Sequence, residues 1–184
     1  MMNSSVRCFM VVAALALAGL PALSLAQPGE VRNALPLARL GGQAKLAFWG
    51  FNVYDAKLWV QPGFMAGEYE RHAFALELTY QRDFTNQAIT KRSLDEMRRL
   101  PGATQSQMSS WQPLLRDAFP DVKAGDRITG IHRPGEGAMF ITNGKTTGVI
   151  SDAEFGRLFF GIWLSVHTSE PRMRDALLAR VAPP

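Results

Sequence analysis

Arg82 closes an alternating stretch, AFALELTYQ at residues 73–81, and its chemistry suits an anion better than any residue near it. Phe74, Leu76, Leu78 and Tyr80 point one way along that strand, and Arg82 continues the same set. A guanidinium at the edge of an apolar face can fork onto a carboxylate through two parallel N–H donors. Tyr80, or Tyr54 from the preceding strand, can add a hydroxyl donor. The other outcome for Arg82 is an ion pair with Asp83 or another carboxylate at the strand end. A second charged pair, Asp55 and Lys57, interrupts the apolar run FNVYDAKLWV at residues 51–60. Two apart in a strand, they share a face with Phe51, Val53 and Trp59, while Tyr54, Ala56, Leu58 and Val60 take the other. We read the pair as the wetted side of a sheet, with Tyr54 and Leu58 turned towards helices. An exposed pair of this kind contributes only about 0–1 kcal/mol.

Most other catalytic chemistry has no foothold. The chain carries no G-x-S-x-G elbow, no H-E-x-x-H and no phosphate-binding glycine loop. His72, His132 and His167 are far apart, so each is expected as a surface or hydrogen-bonded histidine rather than a metal ligand. Asp121 and Asp126 read as turn residues, and Asp152 and Glu154 suit a helix N-terminus. No catalytic residue, metal ligand or cofactor is assigned. Lys91, Arg92, Arg98 and Arg99 cluster, but without interleaved aromatics they read as a solvated helix face, not a nucleic-acid surface.

The first 26 residues read as a secretory signal peptide. One basic residue, Arg7, precedes the apolar run Phe9 to Leu20, and Ser24-Leu25-Ala26 offers small residues for cleavage. The run is too short for a membrane span. Cleavage after Ala26 removes Cys8, the single cysteine, so thiol catalysis and thiolate metal sites are excluded in the mature chain. It also removes only Arg7 of the 20 basic residues and none of the 16 acidic ones, leaving a formal charge of +3. The expected location is the periplasm or the cell exterior, with no membrane span in the mature protein.

Residues 27–34 are expected as a flexible leader and residues 35–181 as one domain. Strands are expected at LPLARL (35–40), KLAFWGF (45–51), FNVYDAKLWV and AFALELTYQ, with Gly41-Gly42 and Gly50 as punctuation. Thr85 to Leu100 and Ser106 to Phe119 follow as helices; Pro113 requires the second either to kink or to start as late as Gln112. Strands at 126–133, 138–142 and 146–150 come next, with Asn143-Gly144 as a type I′ hairpin turn. Asp152 caps a helix with the stripe Phe155, Leu158, Phe159, Ile162 and Trp163, and a last helix opens at Pro171. Strands without helical crossovers favour a mostly antiparallel sheet with helices on one face, an α+β architecture.

In this order of elements the chain resembles the bacterial chalcone isomerase-like family, exported relatives of the plant chalcone–flavanone isomerase superfamily. The resemblance rests on FNVYDAKLWV, LTYQRDFTNQAI (78–89), FPDVKAGDRITGIHRPGEGAMFITNGKTTGVI (119–150) and FGRLFFGIWLS (155–165). It implies an open-faced β-sandwich: a large, mostly antiparallel sheet with a helical layer on one face and a cleft between. It also implies one of two activities, isomerisation of small phenolic, chalcone-like substrates or non-catalytic binding of fatty acids. Val53 falls where the isomerases have threonine, and Asn86, Ile89 and Ser93 fall opposite their tyrosine, lysine and asparagine. Lys45 lies near the isomerases' arginine, without its planar fork. The resemblance therefore favours a binder of a fatty-acid-like or other apolar anionic molecule, with Arg82, Tyr80 and Tyr54 at the ligand. The cleft itself is either open or filled by the chain's own Phe, Met and Trp side chains.

Overall fold

Among the described residues six strands pair side by side into one antiparallel sheet. The computed structural model describes residues 27–48 and 50–181; the expected signal peptide and Cys8 lie outside the described residues. The strands are β1 (Arg39–Phe48), β2 (Phe51–Val60), β3 (Phe74–Tyr80), β4 (Arg127–Arg133), β5 (Gly137–Thr142) and β6 (Lys145–Ile150). They lie in sequence order across the sheet, a plain meander. Helices α2 (Asn86–Met97) and α3 (Gln105–Ala118) are inserted between β3 and β4, and α4 (Ala153–Leu164) and α5 (Pro171–Leu177) follow β6. These four helices cover one face.

Local chemistry fixes the helix starts. Thr85 accepts from the Ala88 amide at the head of α2, and Thr104 with Gln107 forms a capping box on α3. Pro113 sits inside α3 after all. Asp152 accepts from the amides of Glu154 and Phe155 and so starts α4. Asn143 and Gly144 both adopt positive φ, as a type I′ hairpin turn requires.

Two expectations are corrected. LPLARL and KLAFWGF do not form separate strands: β1 runs through Gly41 and Gly42, with a bulge that leaves Gly41 out of the pairing with β2. The freed Gly41 carbonyl accepts from the Arg180 amide at 2.8 Å, tying the chain after α5 to the first strand. Gly42 is needed because the backbone of α5 comes in here, and Gly41 because the Val60 and Val181 side chains crowd it, not because a strand ends. Residues 27–34 are not a flexible leader either: they contain helix α1 (Gly29–Ala34), which lies on the sheet face opposite the other helices. Val31 and Leu35 are buried there against Trp59, Ala75, Ile131 and Ile141. Glu30 is fixed by Arg127 at 2.8 Å and by the Thr129 hydroxyl at 3.1 Å.

A Gly42→Ala substitution tests this docking. Its methyl group would collide with the carbonyl groups of Ala176 and Leu177, which belong to backbone that cannot turn aside. We expect a loss of about 2 kcal/mol, read as a melting temperature lower by about 4–8 °C. An unchanged melting temperature would refute the close approach.

Candidate functional site

The helical layer leaves a gap over the β1–β3 end of the sheet. The result is a cavity of about 310 Å³, bounded by α2, α4 and the start of α5. Its walls are largely hydrocarbon and aromatic: Leu76 and Leu78 from β3, Ile128 from β4, Phe140 from β5, Ile89 from α2 and Phe159 from α4. The sheet contributes more than simple alternation allows. Leu46 pairs with Tyr54 and Ala47 with Asn52, so Val53 is the extra residue of a bulge. That irregularity lets Val53 and Tyr54, neighbours in sequence, both line the cavity.

Polar groups gather at one end. Tyr54 and Tyr80 are opposite each other across β2 and β3, with their rings edge-on at 6.0 Å. The Trp163 indole donates to the Tyr54 hydroxyl at 3.0 Å, a strut from α4 to the sheet. On α2, Arg92 lies 2.9 Å from the Glu96 carboxylate, which is buried and also accepts from the Ser169 hydroxyl at 2.6 Å. Ser93 and Glu170 complete this end. Burial raises the Tyr54 and Tyr80 hydroxyls well above the ordinary tyrosine range, since a phenolate there would lose its hydration; the Trp163 donation to Tyr54 offsets this only in part. Tyr69, whose hydroxyl donates to the Arg157 carbonyl at 2.8 Å, is pushed up by burial to about 12.

Of the three residues picked from sequence, Tyr54 and Tyr80 line the cavity and Arg82 does not. β3 ends at Tyr80 and the chain bends at Gln81 and Arg82, so the alternation that would have aimed Arg82 inward has already stopped. The exposed guanidinium stacks over the Phe51 ring at 5.2 Å, and Asp83 is engaged by the Ala124 amide instead. Asp55 and Lys57 do lie on the opposite face of the sheet, but each pairs across strands: Asp55 with Lys45 at 3.7 Å and Lys57 with the buried Glu77 at 3.6 Å. Of the positions matched to the isomerases, Val53, Ile89 and Ser93 face the cavity. The Asn86 amide is spent on the Arg116 and Phe119 carbonyls. His132 is a hydrogen-bonded core residue, its ring nitrogens each 3.1 Å from the carbonyls of Gly137 and Glu70.

Arg92, Glu96 and Ser169 escaped sequence reasoning. Ile89, Ser93 and Glu96 have the spacing of one helix face, which was a usable signal. It was masked by neighbours that do form a solvated face: Lys91 and Arg98 both pair with Asp95, whose carboxyl is held below the usual range chiefly by the Lys91 hydrogen bond.

Burial, nearly complete for Tyr69 and Tyr80 and partial for Tyr54, has a consequence at high pH. In the folded protein we expect no phenolate absorbance through about pH 10, whereas the denatured chain titrates there. Below about pH 10 both states keep their protons and stability is unaffected. Above it the unfolded state releases protons first, so stability falls by about 1.4 kcal/mol per pH unit for each tyrosine. A tyrosine that ionises near pH 10 in the folded state would contradict the burial described.

Residues 41–179 match the chalcone isomerase-like family. An uncharacterized protein of Haemophilus influenzae is 28% identical over 144 residues, covering 76% of this chain and 67% of the relative. Among solved structures, a fatty-acid binding protein of Arabidopsis thaliana superposes with a TM-score of 0.58 at 13% identity, covering 77% of this chain and 87% of that one. The family match takes in nearly the whole described domain. The chain therefore belongs to the chalcone isomerase-like family.

Proposed function

We propose that this protein binds a fatty-acid-like, largely apolar small molecule in the cavity between the sheet and helices α2 and α4, without transforming it. The observation that carries this reading is the cavity itself, about 310 Å³ of space walled mainly by apolar side chains with polar groups at one end. That volume sits at the low end of the range of about 300–1,000 Å³ found for small-molecule sites. It supports a guest with a single chain. Emptying such an apolar volume into water is unfavourable, so a hydrocarbon guest is retained by the hydrophobic effect. The fold shared with a plant protein named as a fatty-acid binding protein agrees with this.

The isomerase reading draws less support. Val53 and Ile89 offer hydrocarbon to the cavity where the isomerases place polar side chains, and the Asn86 amide is committed to backbone. Lys45, the nearest substitute for the isomerase arginine, is exposed and paired with Asp55 on the other side of the sheet.

Native mass spectrometry of protein purified from bacterial cells tests the binding reading. We expect co-purified species with the masses of acyl chains. Ile89→Trp, which fills the cavity from α2, should lose them, and Arg82→Ala should keep them. Preparations that are repeatedly empty, or a guest retained by Ile89→Trp, would refute the site.

We also propose that the protein acts outside the cytoplasm after removal of residues 1–26, on the strength of the apolar run and the Ser24-Leu25-Ala26 site. Expression of the full chain in a bacterium should give a periplasmic product whose N-terminal sequence begins at Gln27. Recovery of the unprocessed chain in the cytosol would overturn this.

A further inference from the structure

The polar end of the cavity carries the wrong charge for a carboxylate. Among the described residues one cation lines it, Arg92, and two carboxylates, Glu96 and Glu170. Arg92 is not waiting for a partner: its guanidinium is 2.9 Å from the buried Glu96, itself held by the Ser169 hydroxyl. Arg99, from the next turn, lies 3.6 Å from the same Glu96 oxygen and does not line the cavity. A ligand carboxylate placed here would lose its hydration, share Arg92 with Glu96 and face Glu170.

The tyrosines supply the opposite chemistry. The Tyr54 hydroxyl already accepts from Trp163, so its own proton is the group left to give. The Tyr80 hydroxyl takes no hydrogen bond from the described residues and faces the same cavity from the directly opposed strand position. Both stay protonated far above neutral pH, so they remain donors throughout the working range. Two neighbouring donors in an apolar cavity call for an acceptor that brings no charge, a carbonyl, ester, ether or hydroxyl oxygen.

We propose that the cavity selects an amphiphile whose polar end is an uncharged oxygen function held by Tyr54 and Tyr80, and that it takes a fatty acid only in the protonated form. Glu96 acts as the specificity-determining residue by keeping Arg92 neutralised. This rests on the binding reading above and adds to it the chemistry of the head group.

Displacement of the neutral fluorophore N-phenyl-1-naphthylamine by decanol, decanoate and decylamine separates the two ideas. At about pH 8 we expect decanol to displace it at least about tenfold better than either charged probe, one decade being about 1.4 kcal/mol. Decanoate should gain about tenfold per pH unit as the pH falls towards the ordinary carboxylic range of about 4–5, while decanol stays flat. Glu96→Gln keeps an acceptor for Ser169 yet releases Arg92, so decanoate binding at about pH 8 should rise by about tenfold with decanol unchanged. The double variant Tyr54→Phe, Tyr80→Phe should lose decanol's preference while still binding the fluorophore, which shows that the cavity survives.

If decanoate binds best at about pH 8 in the unaltered protein, or decylamine does, the head-group proposal is overturned and the binding reading stands. An unchanged decanoate affinity in Glu96→Gln overturns the role given to Glu96. If neither the fluorophore nor any probe binds, both the proposal and the binding reading fall.

Discussion

Aromatic packing between α4 and the middle of the sheet is the interaction around which the rest is arranged. Phe160 meets Phe74 edge-on at 4.9 Å and lies over Gly130, where the absence of a side chain makes room for the ring. Phe159 meets Phe140 at 5.0 Å, and Phe155 stacks on Phe159 while meeting the Trp111 ring of α3 at 5.4 Å. Phe155 and Phe160 are fully buried, and burying each such side chain is worth about 1.5–3 kcal/mol before any gain from edge-on geometry. One helix thus clamps β3, β4 and β5 and fixes where α2, α3 and α5 can lie.

The cavity is what this clamp does not reach. At its far end α4 presents Trp163 and Ile162 over β1–β3, and there the roof stands off the sheet. The Trp163–Tyr54 hydrogen bond and the Ser169–Glu96–Arg92 chain brace that gap: one joins helix to sheet, the other joins the segment between α4 and α5 to α2. Polar groups placed this way serve two ends at once. Ser169 satisfies one Glu96 oxygen by a hydrogen bond, the other oxygen is compensated by the charge of Arg92 without a hydrogen bond, and together these groups give the cavity one polar end.

The opposite face of the sheet is managed by charge pairing and by a small helix. Lys45–Asp55 and Lys57–Glu77 are opposed across neighbouring strands, Arg127 reaches Glu30 of α1, and the Trp59 indole donates to Glu77 at 3.0 Å. Beside them α1 covers Trp59, Ala75, Ile131 and Ile141, which would otherwise leave a hydrophobic patch on an open sheet. The charged residues of FNVYDAKLWV belong to this face, and their partners explain them.

The class of fold, the strand faces, the caps at Thr85 and Asp152 and the Asn143-Gly144 turn are legible in the residue order, because each depends on neighbours a few residues away. The alternation of side-chain faces along β2 and β3 likewise sent Tyr54, Leu58 and Tyr80 to the helix side without reference to anything distant. Tertiary structure decided what local patterns cannot encode. Gly41 and Gly42 look like a chain break until the end of α5 is set against them, and residues 27–34 lack a hydrophobic reason to fold until a sheet face is there to receive Val31. Arg82 follows the strand's alternation on paper, yet the strand ends before it, while Arg92 and Glu96 reach the cavity only because α2 packs beside α4. Where a chain bends and which helices meet are settled by the long-range fit of surfaces, and that fit is what separated the charge on show from the charge at the site.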